Sequence, residues 1–215
     1  MGYFKEVPNL EYQSFLKGKL SSQDYLTVKN FFRRVKLRED LESVYTLFSK
    51  YTILDGLRPD NVAEDLYGSP QLDWIVLISA GIVNVKNEWP LSNSELIKYS
   101  ERKYGTEISG VKHYETTRVV DNKKRLILPA GLVVDSTFTI PDPSNPLETL
   151  NPVVPVTNFE YEVIKNDEKR NISVLKKDYI GQFLLDTRKL MKYTKSSEFI
   201  NNSLIKTENT ESKLP

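Results

Sequence analysis

Residues 58–105, RPDNVAEDLYGSPQLDWIVLISAGIVNVKNEWPLSNSELIKYSERKYG, decide how the chain is read, because helix starts and stops can be named in them one by one. Pro59 suits the first helical position, where its missing N–H would have no partner anyway, and Gly68 can take the left-handed conformation that closes a helix. A short helix over 59–67 follows. It sets Val62, Ala63, Leu66 and Tyr67 on one face, opposite Asp60, Glu64 and Asp65. Ser69-Pro70 is a second start. Leu72, Trp74, Ile75, Val76, Leu77 and Ile78 make this second helix apolar nearly all round, the pattern of a segment covered on several sides. The two helices read as a hairpin closed by Trp89-Pro90-Leu91. Ser92 with Glu95 three residues on is a capping box that opens a third helix, stopping at Gly105.

Upstream, residues 1–19 show no sustained period and read as an extended arm. Ser21 or Ser22 can cap a helix that places Tyr25, Val28, Phe32 and Val35 near one face and is prolonged by KLREDLES. Arg33, Arg34, Lys36 and Arg38 form the main basic cluster beside Phe31 and Phe32. Because Glu39, Asp40 and Glu42 follow at once, the segment suits a protein interface better than a nucleic acid. Downstream, VKHYETTRVV and KRLILPAGLVV flank Asp121-Asn122 and read as a β-hairpin. Pro141, Pro143, Pro146, Pro152 and Pro155 mark an irregular wrapped loop. Phe159, Tyr161 and Val163 alternate with Glu160 and Glu162, which predicts a second hairpin turning at Asn166-Asp167 toward Ile172 and Val174. A helix from about Asp178 carries Tyr179, Ile180, Phe183, Leu184, Thr187, Leu190 and Met191 on one stripe. Beyond Tyr193 periodicity is lost, and a mobile tail is expected unless a neighbour captures Phe199, Ile200, Leu204 and Ile205. The fold class is α+β.

Composition narrows the chemistry. With 30 basic and 29 acidic residues and a formal charge of +1, no bulk attraction to nucleic acid or anionic membrane is implied. The absence of cysteine removes disulfides, thiol nucleophiles and thiolate metal sites. His113 is the single histidine, so a catalytic triad or a His-rich metal site lacks its inventory. The glycines never group into a phosphate loop. No catalytic residue, cofactor site or metal site is expected, and no enzyme. The N-terminus lacks an apolar core of signal-peptide length, and no apolar run is long enough to cross a bilayer.

Taken in order, the lead-in Tyr51-Thr52-Ile53, Arg58-Pro59, a helix ending Leu66-Tyr67-Gly68, a helix with Trp74, and Trp89-Pro90-Leu91 resemble the LysM-like (β-α-α-β) module. More closely, RPDNVAEDLYGSPQLDWIVL is similar to the baseplate wedge protein of T-even-type contractile-tailed phages. The charged arm, the KHYET run after Gly105 and YEVIKNDEKRNISVLKKDYIGQFLLDTRKLM follow that family over most of the chain. One departure is Ser79-Ala80-Gly81, where LysM-like modules place an asparagine.

The resemblance implies a non-enzymatic virion protein of the tail baseplate, assembled in the host cytoplasm, that clamps neighbouring wedge proteins around the hub. The partners it implies are other wedge proteins, the sheath-initiating subunit and the tail hub and tube, in a sixfold assembly of several copies, with neither nucleic acid nor membrane. The expected divisions are an arm and helix (1–49), the LysM-like module (50–92), a helix and hairpin (93–135), a Pro-rich loop (136–158), a hairpin and C-terminal helix (159–195) and a flexible tail (196–215). Phe31, Arg33, Arg34, Arg38, Trp89 and Phe199 are the candidate partner-interface residues. The alternative is a LysM-type peptidoglycan binder in which Tyr67, Trp74 and Trp89 would stack on sugars; Trp74 suits the core better. A lytic enzyme rests only on abundant carboxylates, which by themselves decide nothing.

Overall fold

A computed structural model describes residues 2–13, 25–37, 46–145, 147–196 and 198–206. The chain forms two compact units, one from Met1–Ile53, Leu57–Trp89 and Ile172–Pro215, the other from Leu54–Gly56 and Pro90–Asn171. Both helices and small sheets are present, so the class is α+β as expected.

In the first unit a short helix α1 (Tyr3–Glu6) leads into β1 (Asn9–Gln13), and β2 (Tyr25–Lys29) pairs with β1 antiparallel over five residues. The helix expected around Tyr25 and Val28 is therefore a strand. Its YLTVK composition is β-branched and aromatic, and cross-strand hydrogen bonding to β1 outweighs a helical spacing that rested on four residues. The part of that expected helix in KLREDLES beyond Leu37 lies outside the described residues. Of the extended arm expected over residues 1–19, the described residues 2–13 hold a short helix and a strand, and the rest lies outside the described residues.

After β3 (Phe48–Thr52) come α2 (Pro59–Tyr67), a 3-10 turn over Pro70–Leu72, α3 (Asp73–Ser79) and a single turn α4 (Val85–Glu88). The boundaries of α2 are those the sequence names. Pro59 stands at the first helical position and Gly68 closes the helix at φ 74°. Val62, Ala63, Tyr67, Trp74, Ile75 and Val76 are buried with Phe48, Ile53 and Trp89. The strand that completes this core is β11 (Asn171–Leu175), whose Ile172, Val174 and Leu175 are buried in it and which pairs with β3. Within residues 50–92 themselves there is one strand, not two. Helix α7 (Ile180–Met191) follows a 3-10 turn over Lys177–Tyr179.

Past α7, β12 (Phe199–Asn201) and β13 (Leu204–Lys206) form a hairpin, and β13 adds parallel to β1, giving a sheet ordered β12-β13-β1-β2. Residues expected to wait for a neighbour are thus captured by the chain's own N-terminal strand. The remainder of that expected tail, beyond Lys206, lies outside the described residues.

In the second unit α5 (Asn93–Tyr104) begins at the expected capping box. Ser92 Oγ accepts from the Glu95 N–H, and the Glu95 carboxylate accepts from the Ser92 N–H. Strands β4 (Val111–Thr116), β5 (Val119–Val120), β6 (Leu126–Leu128) and β7 (Val133–Val134) make the expected hairpin, with β5 on β6 and β4 on β7. Its turn is tied by Asp121, whose carboxylate accepts from the Lys123 and Arg125 N–H groups.

The Pro-rich stretch is less irregular than expected. It holds a two-residue ladder of β8 (Ile140–Pro141) and β9 (Thr149–Leu150), then β10 (Val153–Thr157), which pairs with β4. The expected second hairpin does not form, because α6 spans Asn158–Glu168. Thr157 and Glu160 make a capping box: Thr157 Oγ1 accepts from the Glu160 N–H at 3.2 Å and the Glu160 carboxylate accepts from the Thr157 N–H at 2.8 Å. The buried positions of α6 are Glu162 and Asn166, four apart and both polar. The apolar residues therefore alternate in sequence while burial follows the helical period.

Thr157→Ala is expected to cost about 1 kcal/mol by removing the helix cap. Urea unfolding should show a lower midpoint at unchanged slope, with Thr157→Ser close to the wild type.

Candidate partner interface

Each strand of the terminal sheet alternates, so its register sorts its side chains by face. Leu10 stands opposite Ile205 on one side and Val28 on the other, and Ile205 stands opposite Phe199. Phe199, Ile205, Leu10 and Val28 therefore form a single apolar row across four strands. Leu26, two residues before Val28, shares this face. Asn9 with Lys29, and Glu11 with Thr27 and Lys206, are in the rows of the opposite face, which is largely polar. Val28 and Leu26 remain 41% and 45% exposed, although apolar strand residues ordinarily turn inward.

Beyond β2 the chain turns at Asn30, whose side-chain carbonyl accepts from the Phe32 N–H. The turn carries Phe31, 69% exposed, and Phe32, 96% exposed; Phe31 meets the exposed Phe4 edge-on at 5.7 Å. An open hollow of about 310 Å3 lies against this turn, lined by Phe32, Arg33, Tyr193 and Ile205 among others. Ile205 links the hollow to the apolar row.

Arg33 is less available than its charge suggests. Its guanidinium donates to the Leu190 and Lys192 carbonyls at 2.8 and 3.0 Å and stacks 5.1 Å from the Tyr193 ring. These are carbonyls at the C-terminal end of α7, where a cation complements the helix dipole. Arg33 thus clips the aromatic turn to α7. Arg34 is exposed, and Arg38 lies outside the described residues. Trp89 is not on the surface at all: only 7% exposed, it donates its indole N–H to the Leu57 carbonyl at 2.9 Å. Of the candidate residues, Phe31, Arg33 and Phe199 fall within one region of the first unit. Phe4 belongs beside them and went unread, since a lone Phe in an aperiodic arm gives no signal.

The N-terminal helix is also fixed to α7. Glu6 accepts two hydrogen bonds from Arg188, at 2.8 and 2.9 Å, and these hold its carboxyl below the usual range against the effect of burial. In the second unit the buried Glu162, 6% exposed, accepts from Lys103 Nζ and Tyr104 Oη, both at 2.7 Å. Burial pushes this carboxyl up, but the two hydrogen bonds outweigh it and hold the carboxyl below its usual value. Lys103 and Tyr104 are both pushed up, first of all by the same bonds to Glu162. His113 bonds Glu115 at 2.7 Å and meets Tyr161 edge-on, an ordinary strand contact.

Among the described residues no three His, Cys, Asp or Glu side chains gather as a metal site, and no helix is long and apolar enough to cross a membrane. Tyr67, Trp74 and Trp89, the rings a glycan would need, are all buried. Burial pushes the Tyr67 hydroxyl up to about 12, and that hydroxyl donates to the Leu175 carbonyl. The ion pairs of Glu6 and Glu162 are structural ties, and the exposed side chains of the terminal sheet's row and its turn are apolar and aromatic.

A family model described as base plate wedge protein 53 matches residues 9–126, more than half of the 215-residue chain. The chain belongs to this family. Among curated proteins nothing matches it. As a phage baseplate wedge protein it is a structural component of the virion tail, not an enzyme, and it assembles with other baseplate proteins. The match takes in β1, β2, the aromatic turn and helices α2 and α3, so Leu10, Leu26, Val28, Phe31 and Phe32 are wedge-family sequence, whereas Phe4, Phe199 and Ile205 lie outside the matched residues.

The hydrogen bonds to Glu162 set a pH dependence. A carboxyl whose folded value is depressed stabilises the fold above its unfolded value, about 4.3, and that stability is lost as pH falls through the folded value. Glu162→Gln is expected to lower stability by about 1–2 kcal/mol near neutral pH. Its unfolding midpoint should approach that of the wild type progressively as pH falls from about 4.3 through the folded value; parallel curves across the whole range would contradict the assignment.

Proposed function

We propose that this wedge protein clamps neighbouring wedge subunits around the tail hub, and that the clamp is the apolar row of the terminal sheet continued by Phe4, Phe31 and Phe32. The observation that carries this reading is that Phe4, Leu26, Val28, Phe31 and Phe32 stand at 41–96% exposure beside the half-buried Leu10, Phe199 and Ile205, anchored to the body by Arg33 and by the Glu6–Arg188 pair. Fully exposed aromatics lower solubility without aiding a lone chain, whereas in an interface they are the residues from which binding energy comes. A partner covering the row and the turn would bury them together. The partners fitting the family are other wedge proteins, the sheath-initiating subunit and the hub and tube, in several copies about a sixfold axis. The β3-α2-α3 segment with β11 supports a LysM-like β-α-α-β unit whose last strand is supplied from residues 171–175, acting as the rigid body behind this face.

The double variant Phe31→Glu, Phe32→Glu changes only exposed side chains, so its thermal midpoint should match the wild type. Its co-sedimentation with tails assembled in an extract lacking the native protein should fall by about tenfold or more. Equal recovery of variant and wild type would rule out the aromatic turn as the clamp.

A further inference from the structure

In the second unit the β5–β6 hairpin is set apart by its charge, and the whole of it lies within the described residues. Residues 117–130 carry four cations, Arg118, Lys123, Lys124 and Arg125, against one carboxylate, Asp121. That carboxylate is already engaged, accepting from Arg125 Nε at 2.7 Å and from the Lys123 and Arg125 N–H groups. Arg118, Lys123 and Lys124 are exposed, and among the described residues none of the three makes an ion pair. Register sorts the apolar side chains of the hairpin. Buried Val119 pairs with half-buried Leu128, while Val120 pairs with Leu126 on the outer face at 41% and 55% exposure. The register shift between the two pairs leaves Ile127 as the extra residue of a bulge, 52% exposed. The hairpin is also braced at both ends. At its base the buried Thr116 hydroxyl donates to the Pro129 carbonyl at 2.7 Å and accepts from the Leu132 N–H at 3.1 Å; at its tip Ser144 lies 3.2 Å from the Asn122 side-chain carbonyl and donates to it.

We infer that this hairpin docks a segment of a neighbouring baseplate protein in which bulky apolar residues are flanked by Asp or Glu. The apolar side chains of that segment cover Val120, Leu126 and Ile127, and its carboxylates meet Arg118, Lys123 and Lys124. Four cations against one acid leave three positive charges here on a chain whose formal charge is only +1, so this surface selects an acidic partner and repels a basic one of equal hydrophobicity. Nucleic acid fits it less well, because residues 117–130 include no aromatic ring on which a base could stack. With the backbone braced beforehand, little ordering opposes the docking. The inference rests on the chain's assembling with other baseplate proteins but not on which surface clamps them, since the hairpin belongs to the second unit and the apolar row and aromatic turn to the first.

The test is fluorescence anisotropy of the full chain with two labelled peptides, Glu-Asp-Leu-Ile-Leu-Glu-Asp and its counterpart with lysine at each acidic position. The acidic peptide should bind saturably, about tenfold tighter than the basic one, and weaken with salt. Arg118→Glu with Lys123→Glu changes only exposed side chains, so the thermal midpoint should match the wild type while the peptide preference inverts. Leu126→Ser with Ile127→Ser should weaken the acidic peptide by about tenfold at unchanged salt dependence. Equal affinity for the two peptides or an unchanged preference in the charge-reversed variant would overturn the inference. So would tighter binding of an oligothymidylate than of the acidic peptide, or a concentration-dependent dimer lost in the charge-reversed variant, by making nucleic acid or a second copy the occupant. The Phe31→Glu, Phe32→Glu variant should keep wild-type peptide binding, which separates failure of the clamp from failure of this docking; loss of peptide binding in that variant would move the peptide to the aromatic turn and overturn the inference as well.

Discussion

Helices α2 and α3 are too short to persist alone, since a helix of fewer than about a dozen residues is marginal in water even with good helix formers. They exist because their shared apolar face has a floor, and that floor is β3 paired with β11. Val174 lies fully buried beneath them and the Tyr67 hydroxyl reaches the Leu175 carbonyl. The chain between Trp89 and β11 must therefore leave that core and return to it, which is why an otherwise local helical hairpin depends on a strand from the far part of the chain. Loop closure over such a distance grows only slowly more costly with length, so the second unit can intervene without preventing the pairing.

Charge in this protein works as fastening. Glu6 with Arg188 fixes α1 to α7, Arg33 fixes the aromatic turn to the end of the same helix, and Glu162 with Lys103 and Tyr104 joins α6 to α5. These bonds are charge-assisted, and the side chains of Glu6 and Glu162 are only 6% and 7% exposed, so losing their partners would leave a desolvated charge. A virion component needs no titrating centre. What it needs is a surface held in a fixed conformation before its neighbours arrive, because ordering such a surface during assembly would diminish affinity.

That surface combines two kinds of feature. The aromatic turn offers large rings with few rotatable bonds, and the sheet offers a flat apolar row. The wedge family accounts for the chain's location in the tail baseplate and its company of other baseplate proteins. In the interface we propose, the row and the turn would supply affinity through apolar burial, because a chain with balanced charge offers no bulk long-range attraction.

By itself the sequence determined the helices at 59–67 and 93–104, because their signals are local: Pro59 and Gly68 act through backbone conformation, and Ser92 with Glu95 through hydrogen bonds three residues apart. The α+β class was legible for a similar reason, being a matter of composition and short spacing. The cap at Thr157 and Glu160 was equally local, but apolar alternation over Phe159, Tyr161 and Val163 masked it, since the helix buries Glu162 and Asn166 instead. Only the tertiary structure decided that Tyr25–Lys29 is a strand, that β11 closes the core, that Trp89 is inside, and that Phe199 shares a row with Val28. Each of these depends on a partner distant in sequence, and hydrogen bonding and burial between such partners leave no periodic mark on either segment taken alone.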